Sequence, residues 1–318
     1  MELTRSNLEQ FFQSVDFAFR DAQQTVPTFW KTIAKQVPSK TEKNVYPWMG
    51  EIPGLREWFG ERVVNNVATR DYSLTNKHYE DTVGLDRVKL EDDTYGFFTD
   101  IVGALGKRVA EFVDEKVSST LEAGTSTLCW DGQYFFDTDH PVDPDDSSKG
   151  TFSNLLKGAG YSLAADPKAA FSAARKAMMK FTRDDGKPLG VVGNILMVPP
   201  DLEDAALVAV ESDLISQKQL NVAGSENVSN AAVSNVYKGK ATVIVNPWLS
   251  DTDDWYLFCT TRGIMPMLYQ LRQPANFVPR VDPSSDNVFR QKRYEWGVDL
   301  RAAFGYTFPQ LAIRLGPA

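Results

Sequence analysis

Residues 94–123 place Phe98, Ile101, Val102, Leu105, Val109, Phe112, Val113, Val117 and Leu121 at steps of three and four. That spacing lays an apolar stripe along one face of a single helix. At 1.5 Å per residue the helix is roughly 45 Å long, well beyond an average globular helix. Glu91, Asp92 and Asp93 put negative charge at its start, where the helix dipole favours it, and Gly124 marks the stop. A helix of this length suits a spine along which other elements pack.

Strand and helix signals are mixed around it. Asp166-Pro167 is an N-cap followed by proline at the first helical position. Phe171, Ala174, Met178 and Phe181 give that helix its stripe, and Asp184-Asp185-Gly186 ends it. Val191 to Val198 reads as a buried strand, and Pro199-Pro200-Asp201 opens a short helix through Val210. Residues 241–245, 255–259 and 264–271 read as strands, while 221–235 is polar and turn-rich. Trp296, Val298, Leu300, Ala302, Phe304, Tyr306 and Phe308 fall on even positions, a long half-buried strand or bent pair. The class is α+β. At 318 residues and 42% hydrophobic, the chain can fill one large or two ordinary domains.

Residues 1–45 read as an arm. Leu8, Phe11, Phe12, Val15, Phe17 and Phe19 form an untidy helical stripe, and Trp30 and Ile33 are isolated anchors in polar sequence. Such anchors call for a neighbouring surface. Residues 46–93 carry Pro47, Gly50, Pro53, Gly54 and Gly60 among the aromatics Tyr46, Trp48, Trp58 and Phe59. The pairs Val83/Leu85 and Val88/Leu90 alternate like strands but slip phase, as at a bulge. Arg56, Glu57, Glu61, Arg62, Arg87 and Lys89 are scattered through the segment, which reads as an extended two-stranded excursion.

Composition excludes several classes. No stretch approaches the roughly 18 apolar residues of a membrane span, and the first residues lack a signal-peptide pattern. Cys129 and Cys259 cannot make a disulfide framework and read as reduced thiols. A net charge of −8 argues against a general nucleic-acid binder. Residues 91–150 hold 14 acidic and 4 basic side chains, a net of −10, whereas 261–318 hold 4 acidic and 8 basic, a net of +4. Ordinary solvated surface is one reading, and opposite patches meeting between subunits is the other.

The stretch Leu128-Cys129-Trp130-Asp131-Gly132-Gln133-Tyr134-Phe135-Phe136-Asp137-Thr138-Asp139-His140-Pro141 looks at first like an active site. Asp137, Asp139 and His140, with Asp131, Asp143 or Asp145 nearby, could offer metal ligands. Pro141 occupies the place where a calcium loop wants its third oxygen ligand, and Asp-Thr-Asp-His-Pro is good turn chemistry. Trp130, Tyr134, Phe135 and Phe136 could line a sugar or base platform, or simply pack. Asp251, Asp253 and Asp254 could be paired carboxylates, but read as a solvated loop. Gly186-Lys187-Pro188 and Gly239-Lys240-Ala241 lack the residues of a phosphate cradle, and no nucleophile elbow or zinc motif occurs. No cofactor, metal or catalytic residue is assigned.

The run Cys129 to Pro141 resembles a hallmark stretch of the Mu-like phage major head subunit family, gpT. Trp30-Lys31-Thr32-Ile33-Ala34, Tyr46-Pro47-Trp48-Met49-Gly50, Leu55-Arg56-Glu57-Trp58-Phe59-Gly60-Glu61-Arg62, Leu90-Glu91-Asp92-Asp93, Gly186-Lys187-Pro188-Leu189, Val198-Pro199-Pro200 and Gly297-Val298-Asp299 agree in order. The resemblance spans nearly the whole chain. It implies a major capsid protein of the Hong Kong 97 type, not an enzyme. The implied parts are an N-terminal arm (1–45), an extended β-hairpin loop (46–93), a peripheral domain with the spine helix (94–184), an axial domain (185–260) and a return to the peripheral domain (261–318). It further implies pentamers and hexamers of an icosahedral virion shell, assembled in the host bacterial cytoplasm. That shell encloses DNA without sequence-specific binding and works with scaffold, portal and decoration proteins, away from any membrane. Trp30, Trp48, Arg56, Glu57, Trp58, Glu61, Arg62, Arg87 and Lys89 are the candidate inter-subunit contacts. An encapsulin-like nanocompartment shares the fold and is the first alternative; an Asp-dependent metal hydrolase is the second.

Overall fold

A computed structural model describes residues 5–49, 69–92, 97–183, 186–219, 229–282 and 286–317. The chain divides into two compact units. One comprises residues 1–45, 73–117 and 268–305, the other 46–72, 118–267 and 306–318.

The first unit is built on the long helix Phe97–Glu122, which lies in it as far as Val117. Its 26 residues make it about 39 Å long. A four-stranded sheet runs in the order Ala34–Pro38, Met267–Arg280, Arg293–Tyr306, Lys77–Asp86. The last two pair antiparallel from Arg293 opposite Asp86 to Ala302 opposite Lys77. Tyr294, Trp296, Val298, Leu300 and Ala302 are buried and the residues between them half-buried, so the alternation read from the sequence places a sheet face on the core. At Ala302–Ala303 both faces become covered and the strand stops at Tyr306.

Three expectations are corrected here. The arm's helical stripe and Ile33 do not wait for a neighbour. Helix Arg5–Thr25 buries Val15 and Phe19 with Leu85, Val102, Leu105, Tyr294 and Trp296, and Phe11 and Phe12 pack edge-on against Trp296. Phe17, half a turn out of phase, is exposed to solvent. Lys77–Asp86 is not part of an excursion but an outer strand of the main sheet, with Leu85 buried. The phase slip after Leu85 is a change of element, because Val88 lies in a short helix, Arg87–Glu91. Acidic charge in the first turn of the long helix comes from Asp100.

The second unit holds a five-stranded mixed sheet in the order Thr242–Val245, Ile195–Val198, Trp255–Phe258, Ala312–Gly316, Leu155–Lys157. The two outer pairings are parallel and the two inner ones antiparallel. Ile195–Val198 and Trp255–Phe258 are buried at every position, as continuous apolar runs require when both faces are covered. Helix Pro167–Met179 packs Phe171, Ala174 and Met178 into the same core as Leu196, Trp255 and Ile313. Asp166 caps it, its Oδ1 accepting from the Ala169 amide at 2.9 Å. The helix ends at Met179, before the acidic pair assigned as its stop, and Asp184 and Asp185 lie outside the described residues. Leu214–Gln219 and Ser229–Ser234 form an antiparallel ribbon, and the strands Lys43–Met49 and Thr69–Thr75 form a two-stranded sheet of their own.

Candidate functional site

The Leu128–Pro141 stretch follows the long helix through a 3-10 turn at Ala123–Thr125. Gly124 sits there because a Cβ would lie 2.7 Å from the Phe136 ring. Leu128 bridges Tyr134, the Cys129 amide donates to the Gln133 carbonyl at 2.7 Å, and Gly132 turns the chain at φ +90°. This small hairpin drives Phe135 and Phe136 inward. Phe135 stacks on Tyr306 with centroids 4.3 Å apart, and Phe136 packs near Tyr256. Trp130 meets Phe308 edge-on. Trp130, Phe135 and Phe136 are packing, whereas Tyr134 is exposed.

The polar atoms of the stretch serve the same end. Asp131 Oδ1 accepts from the Gln133 amide, and its Oδ2 lies 2.7 Å from Nδ1 of the buried His140, whose ring stacks on Phe152. Asp137 accepts from the Thr138 and Tyr134 amides, and its own amide donates to Asn154 Oδ1 at 2.9 Å. Asn154 is wholly buried and donates in turn to the carbonyls of Phe135 and Pro309. Asp143 and Asp146 hold the turns that follow, through the amides of Asp145 and Ser148. Asp139 is exposed. Among the described residues no three His, Cys, Asp or Glu side chains gather as a metal site. Burial, with Asp131 alongside, pushes the Cys129 thiol far above the ordinary thiol range, so it is a packed side chain and not a nucleophile.

A second polar cluster escaped the sequence reading. Asp254, placed there in a solvated loop, is buried. Its Oδ2 accepts from Arg314 Nε at 2.6 Å and its Oδ1 meets Lys157 Nζ. Arg314 also donates to the Glu122 carbonyl at 3.1 Å, reaches Asp251 Oδ2 at 3.4 Å and lies over the Tyr256 ring. Glu122 Oε1 accepts from the Ser250 amide, the Ser250 hydroxyl and the Asp251 amide. The network ties the last turn of the long helix to two sheet strands. The alternation of Ala312–Gly316 was the available signal: Arg314 is the one charge in an apolar strand, and a buried cation demands a partner.

Of the candidate inter-subunit contacts, Arg56, Glu57, Trp58, Glu61 and Arg62 lie outside the described residues. The backbone of Trp48 belongs to strand Lys43–Met49. Arg87 and Lys89 are exposed on the short helix Arg87–Glu91. Trp30 is half-buried, edge-on to Tyr269 at 5.1 Å, under Lys31. Its amide and that of Phe29 donate to Asp114, on the long helix, at 2.9 and 3.3 Å. Burial raises the Asp114 carboxyl to about 6 against those two amides, with Glu111 adding to the rise. A folded-state value above the ordinary carboxylate range means the native protein takes up this proton more readily than the unfolded chain. This group's contribution to stability is therefore full at low pH and declines as pH rises through about 6. Asp114→Asn should remove that component. The difference in melting temperature between parent and variant should change between pH 5 and 7.5, with the parent gaining relative to the variant on acidification. Parallel curves would refute it.

A spine helix beside a four-stranded sheet, a second mixed α/β unit, and a signature turn in which Asp131 and Asp137 hold local geometry fit a shell-forming capsid protein of the Hong Kong 97 type. The chain belongs to the family described as Mu-like prophage major head subunit gpT, which it matches over residues 8–167, 164–249 and 250–316. It is 28% identical over 294 residues to the Mu-like prophage FluMu major head subunit of Haemophilus influenzae, covering 92% of this chain and 68% of that one. It is 24% identical over 313 residues to the major capsid protein of Escherichia phage Mu, covering 98% and 74%. Among solved structures it is similar to the procapsid of bacteriophage JBD30, with a TM-score of 0.60 and 27% identity over 99% of this chain and 76% of that one. The chain is the major capsid protein of a Mu-like phage, a structural component of the virion shell and not an enzyme. Among the described residues no helix is long and apolar enough to cross a membrane.

Proposed function

We propose that copies of this chain associate as pentamers and hexamers that close into an icosahedral shell around DNA. The observation that carries this reading is the likeness to a phage procapsid along 99% of the chain. Within it, residues 1–45 form an arm seated on its own subunit, the part of 46–93 that precedes the sheet strand Lys77–Asp86 an extended loop rooted in the strands Lys43–Met49 and Thr69–Thr75, 94–184 and 261–318 a peripheral domain, and 185–260 an axial domain. Trp30, Trp48, Arg56, Glu57, Trp58, Glu61, Arg62, Arg87 and Lys89 meet neighbouring subunits, supported by the exposure of Arg87 and Lys89 and by the charged, aromatic composition of 55–62. The acidic 91–150 stretch and the basic C-terminal stretch attract one another across these contacts. Scaffold, portal and decoration proteins are further partners. A net charge of −8 fits a container that does not grip its DNA, because a strongly basic lining would bind phosphates tightly.

Negative-stain microscopy of the purified protein, alone and with a scaffold, tests the reading. Shells, capsomers or tubes are expected, and a persistent monomer in both conditions overturns it. Trp58→Ala with Arg62→Glu should leave the far-UV circular dichroism unchanged and cut the yield of closed shells at least tenfold. Normal yield removes the extended-loop contacts from the proposal.

A further inference from the structure

We propose that Phe17 of one copy seats in a groove on the first unit of a second copy, an inference that rests on the shell reading above. Phe17 is 72% exposed, the highest of the large apolar side chains among the described residues, on a helix that packs Phe11, Phe12, Val15 and Phe19 into the core. Asp16 and Arg20 flank it, paired at 3.0 Å and both solvated. The same unit carries an open groove of about 360 Å³ between the long helix and the sheet. Leu105, Val109, Phe112, Val298 and Leu300 line it, with Tyr79 edge-on to Phe112 at 4.8 Å. Phe17 is not among its lining residues, so its own copy does not fill it.

The charges around knob and groove complement each other. Glu80 and Asp81 stand on the strand side of the groove, and Arg108 on the helix side with Glu115 two turns further along. A phenyl ring entering between them brings Arg20 to the two carboxylates and Asp16 to the guanidinium. Knob and groove are different surfaces of one unit, so the contact is head-to-tail and propagates from copy to copy. One phenylalanine buries roughly 150–250 Å², far short of the ~1,000 Å² that a stable interface needs. The contact therefore sets register inside a larger interface and does not hold two copies together alone.

Two singly substituted proteins, Phe17→Cys and Val109→Cys, are mixed, assembled and treated with a bis-maleimide. Cys129 and Cys259 are buried and give low background. Covalent dimers in the mixture, absent from either protein by itself, are expected. Intact shells without cross-linked dimers overturn the inference and leave the shell reading standing, whereas failure of the parent protein to assemble overturns the shell reading itself. Phe17→Asp supplies a second readout. An unchanged circular dichroism spectrum with at least a tenfold loss of closed shells is expected, and undiminished shell yield overturns the proposal.

Discussion

Asp254→Ala is expected to lower the stability of this protein by about 3–5 kcal/mol, the scale seen when one member of a buried ion pair is removed. The carboxylate is buried and accepts from Arg314 and Lys157. Without it the Arg314 guanidinium, whose side chain is 11% exposed, keeps the Glu122 carbonyl, a long contact to Asp251 and the Tyr256 ring, but no close carboxylate. Lys157 is 39% exposed on its side chain and can turn to water, so Arg314 bears the loss. Space is also tailored around Asp254, since a Cβ on Gly316 would lie 1.9 Å from its Oδ1. The charge and not the shape dominates: Asp254→Asn, nearly isosteric, should still lose more than half as much. The double variant Asp254→Ala with Arg314→Met should recover part of the loss, because an apolar replacement leaves no unpaired cation. Chemical denaturation measures all four corners of this cycle. A cost below about 0.5 kcal/mol for Asp254→Ala, the range of ordinary surface changes, would show that the network contributes nothing.

Gly103 and Gly106, one turn apart on the long helix, are expected to respond to alanine with opposite signs. Helix propensity alone favours Ala over Gly by about 1 kcal/mol at either position. At Gly103 the nearest atom to an added Cβ is the Ala18 carbonyl oxygen at 3.9 Å, an ordinary contact, so Gly103→Ala should be neutral or stabilising by up to about 1 kcal/mol. At Gly106 the Cβ would stand 2.3 Å from the Phe19 carbonyl oxygen and 3.2 Å from the Ala22 Cβ. Backbone on a packed helix cannot swing aside, so the helix Arg5–Thr25 must shift away. A net loss of about 1–3 kcal/mol is expected, the usual cost of overpacking. The symptom should be local: Phe11, Phe12, Val15 and Phe19 become exposed, dye binding rises, and protease cuts near residues 26–29 first. Equal effects at the two glycines would mean that the close approach at Gly106 is not what seats the helix.

Much of the architecture was legible in the order of residues. The spine helix, the capped helix at Asp166, the buried strands at 195–198 and 255–258 and the C-terminal alternation each repeat a local period over enough residues to exclude the other. The Leu128–Pro141 stretch was legible as turn chemistry, and its Asp131 and Asp137 do cap amides. The errors share one cause. Asp254 looked solvated because a carboxylate in an acidic loop usually is, and its partners lie 60 and 97 residues away. Val88 and Leu90 read as a second strand-like pair out of phase with Val83 and Leu85, whereas both lie in the helix Arg87–Glu91, and two residues cannot separate the periods.

By itself the sequence determined the long, strongly periodic helices and strands and their apolar faces, and, through motifs in order along the chain, the family; it missed the short helix Arg87–Glu91 and the strand Ser229–Ser234 in a stretch read as turns. These follow from periodicity and local hydrogen bonding, which neighbours along the chain settle. Only the tertiary structure decided that the first helix packs on its own subunit, that Lys77–Asp86 is a strand of the main sheet, and that Asp254, Arg314 and Glu122 form one network. Each of those depends on which distant apolar surface or opposite charge a group meets, and the free energy of such contacts belongs to the fold as a whole.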